Sequence, residues 1–381
     1  MQSSYPITQP DPLQQITDTL RGELLGLFQV RTVATQARGR VISFGGRLLY
    51  EPDRSYDEIS RRFIAHGYTP MLRREKGEDV VLAMEGVVEG STGNPWLNLL
   101  LFLATILTTL YAGAGLSGQD LLAAVRAGSP LEITRAVYAG APFAMALLGI
   151  LGIHELGHYI AARWHRVQAT LPYFIPMPIG GLGTLGAFIA IRSPMKDRKV
   201  LFDIGLAGPI AGFVVALPLM VIGLLLSTNY VPAYVGGQTL NSLGSSILSG
   251  FLIKIFTDIP VGQTLVIHPI YFAAWLGFYL TGINLLPIGQ LDGGHVIYAL
   301  FGRFAHTIAI IAFGALLAAG FLLQQPNWFI WAVFILFGGL RHPPPLNDLS
   351  DIGWQRKLIG LMTAVLFVLI IMPVPFVGNI F

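Results

Sequence analysis

A series of long apolar segments that begins at residue 96 constrains this chain more than any other feature. A helix needs about 20 apolar residues to cross a bilayer. Only 12% of the residues are charged, against about 25% in soluble proteins. The sequence therefore predicts a polytopic α-helical membrane protein with about six or seven transmembrane helices. The candidate segments are Trp96–Ala114, Ala136–Ala162, Leu201–Leu226, Val266–Leu286, Ala305–Leu323, Trp328–Leu340 and Leu358–Val374.

The charged residues concentrate before these segments. Residues 1–95 contain 11 of the 24 basic and 12 of the 21 acidic residues, which is typical of a soluble region. Apolar spacing predicts a helix over Leu13–Val30, and a capping-box pattern at Ser55–Glu58 predicts a second helix to about His66. We therefore expect a small α+β domain over residues 1–94, without a catalytic group of its own. The predicted strands of this domain are Val41–Phe44, Leu48–Tyr50, Thr69–Arg74 and Val80–Met84.

The rest of the chain divides at its motifs and turn residues. We expect a first transmembrane helix with its connecting loop over 95–135, a core over 136–303, and C-terminal transmembrane helices over 304–381. Within the core, Leu171–Ile191 is apolar but contains three prolines and four glycines. Such a segment is not a plain spanning helix, and we predict a re-entrant β-hairpin whose backbone is satisfied by protein or water.

An H-E-x-x-H motif, His154 to His158, lies inside the apolar stretch 136–162. Residues four apart share a helix face, so the two histidines can present their imidazoles to one zinc ion. Glu155 lies one step round the helix, within reach of a water on the metal. On a helix of a soluble protein, the same motif would be explained equally well as a charged turn on the surface. In a membrane, however, ionisable side chains are costly unless they are paired or bind a metal. The chain has no cysteine, which excludes a thiolate nucleophile and a Cys-based zinc site.

A catalytic zinc needs a third protein ligand and an open position. We favour Asp292, which follows a proline-broken helix and precedes two glycines in an apolar context. The alternative role for Asp292 is capping of the helix that starts at Gly293. His295 is the competing ligand, and it could replace Asp292 or donate a hydrogen bond to it. We expect His165 and His342 to be solvated.

These motifs together resemble the site-2 protease family of intramembrane zinc metalloproteases, and the N-terminal unit and extra C-terminal helices look similar to the branch that includes plant chloroplast members. The resemblance covers about residues 136–300. The motifs that carry it are His154-Glu155-Leu156-Gly157-His158, Asn284-x-x-Pro287-x-x-x-Leu291-Asp292-Gly293, Gly183-Thr184-Leu185-Gly186-Ala187-Phe188-Ile189, which resembles the family's membrane-embedded hairpin, and Ala207-Gly208-Pro209-Ile210-Ala211-Gly212, which resembles a stretch of its third core helix.

The resemblance implies one Zn²⁺ per chain and hydrolysis of a peptide bond in or near a transmembrane helix of a membrane-protein substrate. It implies His154, His158 and Asp292 as metal ligands and Glu155 as the general base. It implies that Asn284 orients substrate or stabilises the oxyanion, although a helix-end hydrogen bond explains Asn284 nearly as well. The substrate-binding residues it implies are Gly183, Thr184, Leu185, Gly186, Ala187 and Phe188, whose glycines are alternatively explained by tight packing alone.

Lys and Arg predict the orientation of the chain. Ten such residues of the membrane part fall on the same side as the N-terminal domain and three on the other, so the positive-inside rule makes the domain and the opening of the active site cytoplasmic. The expected partners are the lipid bilayer and a transmembrane substrate, and no nucleic acid.

Two other classes of protein fit the sequence less well. An inactive, metal-binding relative acting as a membrane chaperone or scaffold is disfavoured by the intact Glu155, whose loss is the simplest route to inactivity. A metal or proton transporter should contain more intramembrane carboxylates and an internal repeat, and the sequence has neither.

Overall fold

The computed structural model describes residues 11–36, 40–87, 93–179, 181–232, 234–235, 238–239 and 242–377. The predicted domain boundary at 91–95 therefore lies partly outside the described residues. The helices are α1 Pro12–Glu23, α2 Pro52–Ile64, α3 Pro95–Leu116, α4 Leu121–Arg126, α5 Pro130–Trp164, α6 Arg198–Leu226, α7 Ile247–Phe256, α8 Pro269–Asn284, α9 Asp292–Phe301, α10 Ala305–Leu322, α11 Asn327–Gly338 and α12 Gly353–Ile370. The strands are β1 Phe28–Gln36, β2 Val41–Leu48, β3 Tyr68–Glu75, β4 Glu78–Glu85, β5 Tyr173–Pro176, β6 Thr184–Phe188, β7 Asn229–Pro232, β8 Tyr234–Val235, β9 Gln238–Thr239, β10 Ser242–Leu243, β11 Gln263–Val266 and β12 Phe376–Val377.

The N-terminal region is an antiparallel sheet of order β1-β2-β4-β3 with α1 and α2 packed on it. The predicted hairpin around Lys76 and Gly77 is confirmed, because β3 and β4 pair up to Glu75 and Glu78 across these two positive-φ residues. The buried core contains Leu20, Leu24, Ile42, Phe44, Ile59, Phe63, Leu72 and Val81.

Two predicted helix boundaries in this region are wrong. The helix expected over Leu13–Val30 ends at Glu23, and β1 takes over at Phe28. The chain turns at Gly26, which has a φ of 78°. Glycine adopts this positive φ easily, whereas residues with a side chain would be strained there. The second helix begins at Pro52, before the predicted capping box, because proline suits the first helical position.

The compact unit formed by this region extends beyond the N-terminal residues. It comprises 1–90, 193–200 and 344–352. The Leu72 backbone N–H of β3 donates to the Leu346 carbonyl at 2.7 Å, and the Asp348 N–H donates to the Leu72 carbonyl at 2.9 Å. The Asn347 N–H in turn donates to the Lys196 carbonyl at 2.8 Å. The outer edge of β3 is thus covered by a segment predicted to belong to the C-terminal helices, and this segment bonds in turn to one predicted to belong to the core.

The second unit comprises 91–192, 201–343 and 353–381. Five of its described stretches are long and apolar enough to cross a membrane, which makes the chain a polytopic helical membrane protein with a small N-terminal sheet region. They are Pro95–Leu116, Pro130–Trp164, Arg198–Leu226, Asp292–Leu322 and Gly353–Ile370. Of the two other predicted spans, α8 has 16 residues and is shorter than the predicted 266–286, whereas α11 has 12 residues, close to the short segment predicted at 328–340.

The segment 171–191 contains a two-stranded antiparallel hairpin. β5 and β6 pair through Tyr173 with Phe188 and Phe174 with Ala187. Pro176 pairs with Thr184 after an irregularity in register. The strand character predicted for this segment is therefore present. Three small two-stranded sheets, β7–β11, β8–β9 and β10–β12, lie elsewhere in the chain.

Close helix contacts place α5 beside α6. A Cβ at Gly157 would lie 2.6 Å from the Ala207 carbonyl oxygen and 2.9 Å from the Ala211 Cβ, so a larger residue at 157 would push the two helices apart. The H-E-x-x-H segment therefore faces the Ala207–Gly212 stretch of α6 directly.

Candidate metal centre

The H-E-x-x-H motif lies in the C-terminal half of α5 and presents both imidazoles to one point. The Nε2 atoms of His154 and His158 are 3.2 Å apart. The carboxylate oxygen Oδ2 of Asp292 is 3.3 Å from each of these nitrogens. Each of these three side chains offers one ligand atom. Among the described residues, they form the group whose ligand atoms lie close enough together to hold one metal ion.

The spacing of the three donor atoms fits zinc. Zinc ligands lie about 2.0–2.1 Å from the ion, so two ligands of a tetrahedral site are separated by about 3.3 Å. The separations of 3.2, 3.3 and 3.3 Å agree with this edge length. Two imidazoles and one carboxylate also leave a fourth position open, as catalytic zinc sites require.

Asp292 is placed by the turn between α8 and α9. A Cβ on Gly293 would overlap the Leu285 carbonyl, and a Cβ on Gly294 would overlap the Gly289 carbonyl. The two glycines therefore let α9 start against the end of α8. Asp292 is the first residue of α9, and Leu291 is the N-cap, without a side-chain cap. The geometry thus directs the Asp292 carboxylate to the histidines and does not make it the helix cap.

The orientation of His158 is set by a backbone carbonyl. Its Nδ1 donates to the Ile204 carbonyl of α6 at 2.7 Å, which leaves the lone pair of Nε2 for a metal. α6 has no side chain opposite the two rings. A Cβ on Gly208 would overlap the His158 Nε2, and a Cβ on Gly212 would lie 3.0 Å from the His154 Nδ1.

His295 lies outside the three-residue group. Its Nδ1 contacts the Leu291 carbonyl of its own helix at 2.9 Å, and its ring packs edge-on against His342 with centroids 4.6 Å apart. The expectation that His342 is solvated is wrong, because its ring packs against His295 and Tyr298 and its Nδ1 is buried. This burial and the neighbouring His295 lower the pKa of His342 to about 3. His165 is also not simply solvated, because its Nε2 lies 3.0 Å from the Asp203 carboxylate.

A cavity of about 220 Å³ contains the centre. Glu155 lies in it and is 6% exposed, and Ile189 lines the same cavity. The Asn284 Nδ2 lies 3.5 Å from the His154 Nε2. The lining includes His154, Glu155, His158, Ala187, Phe188, Ile189, Ile191, Ile204, Gly205, Asn284, Gln290, Leu291, Asp292 and His295.

The hairpin residues expected to bind substrate divide into two groups. Ala187 and Phe188 line the cavity, whereas Gly183 to Gly186 lie towards the hairpin turn and are not among its lining residues. Sequence reasoning placed Ile189 at the end of the hairpin motif but missed Ile191 as a cavity residue. Their β-branched side chains extend the strand pattern past Phe188, and that pattern was the available signal.

Fold and site together define a class: a polytopic membrane protein with a buried His-His-Asp centre and an adjacent glutamate, the donor set of a zinc hydrolase. Comparison with known proteins supports the same class. Residues 142–323 match the model of peptidase family M50, which supports the resemblance of this chain to the site-2 proteases.

The relatives it matches include chloroplast proteins. The chain is 33% identical over 301 residues to the probable zinc metalloprotease EGY1 of Oryza sativa subsp. japonica, which covers 73% of this chain and 50% of that protein. It is 35% identical over 251 residues to EGY1 of Arabidopsis thaliana, covering 62% and 44%. It is 28% identical over 380 residues to EGY2 of Arabidopsis thaliana, covering 95% and 66%. The chain thus spans about half to two thirds of the length of these relatives. No solved structure matches it.

Proposed function

We propose that this protein is an intramembrane zinc endopeptidase that hydrolyses a peptide bond in or near a transmembrane helix of a membrane-protein substrate. The observation that carries the proposal is the meeting of the three-ligand group, Glu155 and the end of a β-strand in one cavity. A metal-storage or scaffold protein would have no need for a buried carboxylate beside the ligands.

His154, His158 and Asp292 would hold the ion. Bound zinc would supply a nucleophilic water at neutral pH and polarise the scissile carbonyl. The Ile204 carbonyl holds the tautomer of His158 in which Nε2 carries the lone pair, and such fixing of a ligand typically raises metal affinity.

Glu155 would accept the proton of the attacking water and pass it to the leaving amine. It lies one residue from His154 on the same helix, inside the cavity. Asn284 would orient substrate from the end of α8, since its side-chain amide reaches the same space as the His154 Nε2.

The hairpin would hold the substrate as an added strand. A peptide in a helix has its carbonyls in hydrogen bonds, so it must unwind before attack, and strand addition would keep it extended. β6 pairs with β5 along one edge, and the residues from Ala187 to Ile191 bring its chain to the cavity. We propose that this hairpin, Gly183 to Phe188 included, is re-entrant in the membrane, because its flanking segments continue into spanning helices.

We further propose that the N-terminal domain and the opening of the site face the cytoplasm. The excess of Lys and Arg in the loops on that side supports this orientation. The bilayer and a transmembrane substrate would then be its partners.

Metal content is the first test. We expect about one zinc per chain in the wild type, and its loss in His154→Ala and in Asp292→Ala. His295→Ala, a matched removal of an imidazole from the same cavity, should retain the zinc. A metallated Asp292→Ala with a metal-free His295→Ala would reassign the third ligand to His295.

Glu155→Gln tests the hydrolytic role separately. We expect it to keep the zinc and to lose about 10²–10⁴-fold in cleavage rate, because general-base catalysis contributes about that factor. Glu132→Gln is the control, since Glu132 lies in the first turn of the same helix and is exposed. Cleavage at the wild-type rate by metallated Glu155→Gln would eliminate Glu155 as the base.

A further inference from the structure

α3 contacts the β5–β6 hairpin through two polar side chains that the sequence analysis did not single out. Asn98 is 5% exposed and lies among apolar residues in the first turn of α3. Its Nδ2 donates to the carbonyls of Leu171 and Pro172, at 2.8 and 2.9 Å, just before β5 begins. A buried amide among apolar groups costs free energy unless it is hydrogen-bonded, so these two bonds fix where the hairpin starts along α3.

The second contact is at the other end of the hairpin. The Thr108 hydroxyl donates to the Gly183 carbonyl at 2.6 Å. Gly183 has a φ of 76°, and a Cβ there would lie 2.5 Å from the Thr108 carbonyl oxygen and from the Thr109 Cα. Ten residues separate Asn98 from Thr108, which is about 15 Å along a helix. Between them, the rings of Phe102 and Phe174 pack with centroids 4.9 Å apart.

Two neighbouring threonines of α3 use their hydroxyl groups within the helix itself. The Thr105 hydroxyl donates to the Leu101 carbonyl, and the Thr109 hydroxyl donates to the Thr105 carbonyl, both within α3. Such back-bonding is the ordinary behaviour of threonine in a helix. Thr108 differs because its hydroxyl also reaches the hairpin.

We propose that α3 is a fixed support for the hairpin, and that Asn98 and Thr108 are positioning residues that set the register of the substrate strand against Glu155. The predicted effect on cleavage rests on the proposed proteolytic function, whereas the support of the hairpin by α3 does not. α3 contacts the hairpin at its start and at its turn, while Ile189 and Ile191, which follow β6, line the cavity that contains Glu155. A substrate strand added to β6 takes its position from β6, since a shift in pairing by one residue turns every side chain to the opposite face.

The first test measures the position of the hairpin and needs no substrate. Because the natural chain has no cysteine, spin labels at Leu185→Cys on β6 and Met145→Cys on α5, both exposed, report one distance distribution by pulsed electron paramagnetic resonance. We expect a narrow distribution with Asn98 and Thr108 intact, and a broadened one in the Asn98→Leu and Thr108→Val backgrounds. Thr105→Val, the same substitution one turn away, should leave it narrow. Equal widths in all four proteins, or equal broadening by Thr105→Val, would overturn the support role.

The second test measures the consequence for cleavage. The probe is carboxymethylated lactalbumin in detergent, an unfolded chain that needs no unwinding, with the cut positions mapped by mass spectrometry. We expect Asn98→Leu and Thr108→Val to retain zinc and to raise KM by about tenfold with kcat nearly unchanged, because a disordered edge must be ordered on binding. They should also cut at more positions than the wild type.

Conservative variants separate positioning from general destabilisation. Thr108→Ser keeps the hydroxyl and should restore the wild-type KM and cut positions. Unchanged KM and cut positions in Asn98→Leu and Thr108→Val would overturn the register role. If metallated wild type cleaves nothing, the proposed function fails on its own, and the spin-label distances still decide whether α3 supports the hairpin.

Discussion

At the level of single residues, the candidate metal centre depends on the lack of a side chain at Gly208 as much as on the three candidate ligands. Gly208 faces the Nε2 atom of His158 across the contact between α5 and α6. Even a methyl group there would occupy the space of that nitrogen. The same helix supplies the Ile204 carbonyl that fixes the ring, so one turn of α6 both orients the imidazole and makes room for it.

Gly208→Ala should therefore lose zinc while the protein stays folded. We expect metal affinity to fall by about 10–100-fold or more, the range found when groups that orient a ligand are removed. Competition with a calibrated chelator measures the affinity. Gly149→Ala is the control, because a Cβ at that position of α5 meets nothing within 4 Å. Wild-type zinc affinity in Gly208→Ala would show that the His158 ring can move aside without weakening metal binding.

The residues that sequence could identify are those with a chemical reason to be unusual. His154, Glu155, His158 and Asp292 stand out because ionisable groups are costly in an apolar segment. Ile204 could not be found in this way, because it acts through its backbone carbonyl, a group that every residue carries. Asn98 could have been questioned, as a polar residue inside a predicted span.

At the scale of elements, the ends of three helices are joined near the centre. Asp203 of α6 accepts two hydrogen bonds from Arg356 of α12, each 2.7 Å long. His165, which caps α5, lies 3.0 Å from the same carboxylate. Asp203 directly precedes Ile204 in the chain. The cluster therefore holds the turn of α6 that orients His158.

We expect Arg356→Gln to lower the free energy of unfolding by about 1 kcal/mol, the value of a bidentate but partly exposed ion pair. The expected loss is small because Arg356 and Asp203 retain 30% and 26% of their side-chain exposure. Thermal unfolding in detergent measures it, with exposed Arg163→Gln at the end of α5 as the control. An equal loss in both variants would show that the effect is one of charge alone.

Apolar length predicted the long helices well, since nothing in the bilayer competes with helical hydrogen bonds. The start of the 292–322 stretch was missed, because the glycines and the aspartate of α9 look like a loop. The length of α8 was overestimated because the apolar run 266–286 also includes the last residue of β11, two loop residues before the helix and two residues after it. Which parts of an apolar run are helical depends on caps and turns, and a hydropathy pattern does not register them.

At the scale of the whole molecule, the N-terminal unit is built from three separate parts of the chain. Asn347 is fully buried in it, and its Nδ2 donates to the Asp53 carboxylate at 3.1 Å. Lys199 pairs with the same carboxylate at 2.5 Å. Sequence reasoning could not predict this, because the distant segments are short and have no periodic pattern of their own.

Asn347→Leu should destabilise this unit locally. Losing a buried hydrogen bond to a charged group costs about 1.5–3 kcal/mol. We expect faster hydrogen exchange in peptides from α2 and β3 and unchanged exchange in α5, measured by mass spectrometry. Gln29→Leu, an exposed change on the opposite edge strand β1, should alter neither. Unchanged exchange in α2 and β3 would show that the distant segments are dispensable to the unit.

This construction determines when the unit can finish folding during synthesis. The sheet is translated first, but residues 344–352, which cover the β3 edge, leave the ribosome only after most of the membrane part has been made. At about 5–20 residues per second, roughly 15 to 50 seconds pass between the end of β4 and residue 344. During that interval the β3 edge is open to pairing with other strands, so the nascent N-terminal unit is a natural client for a chaperone until the last segment arrives.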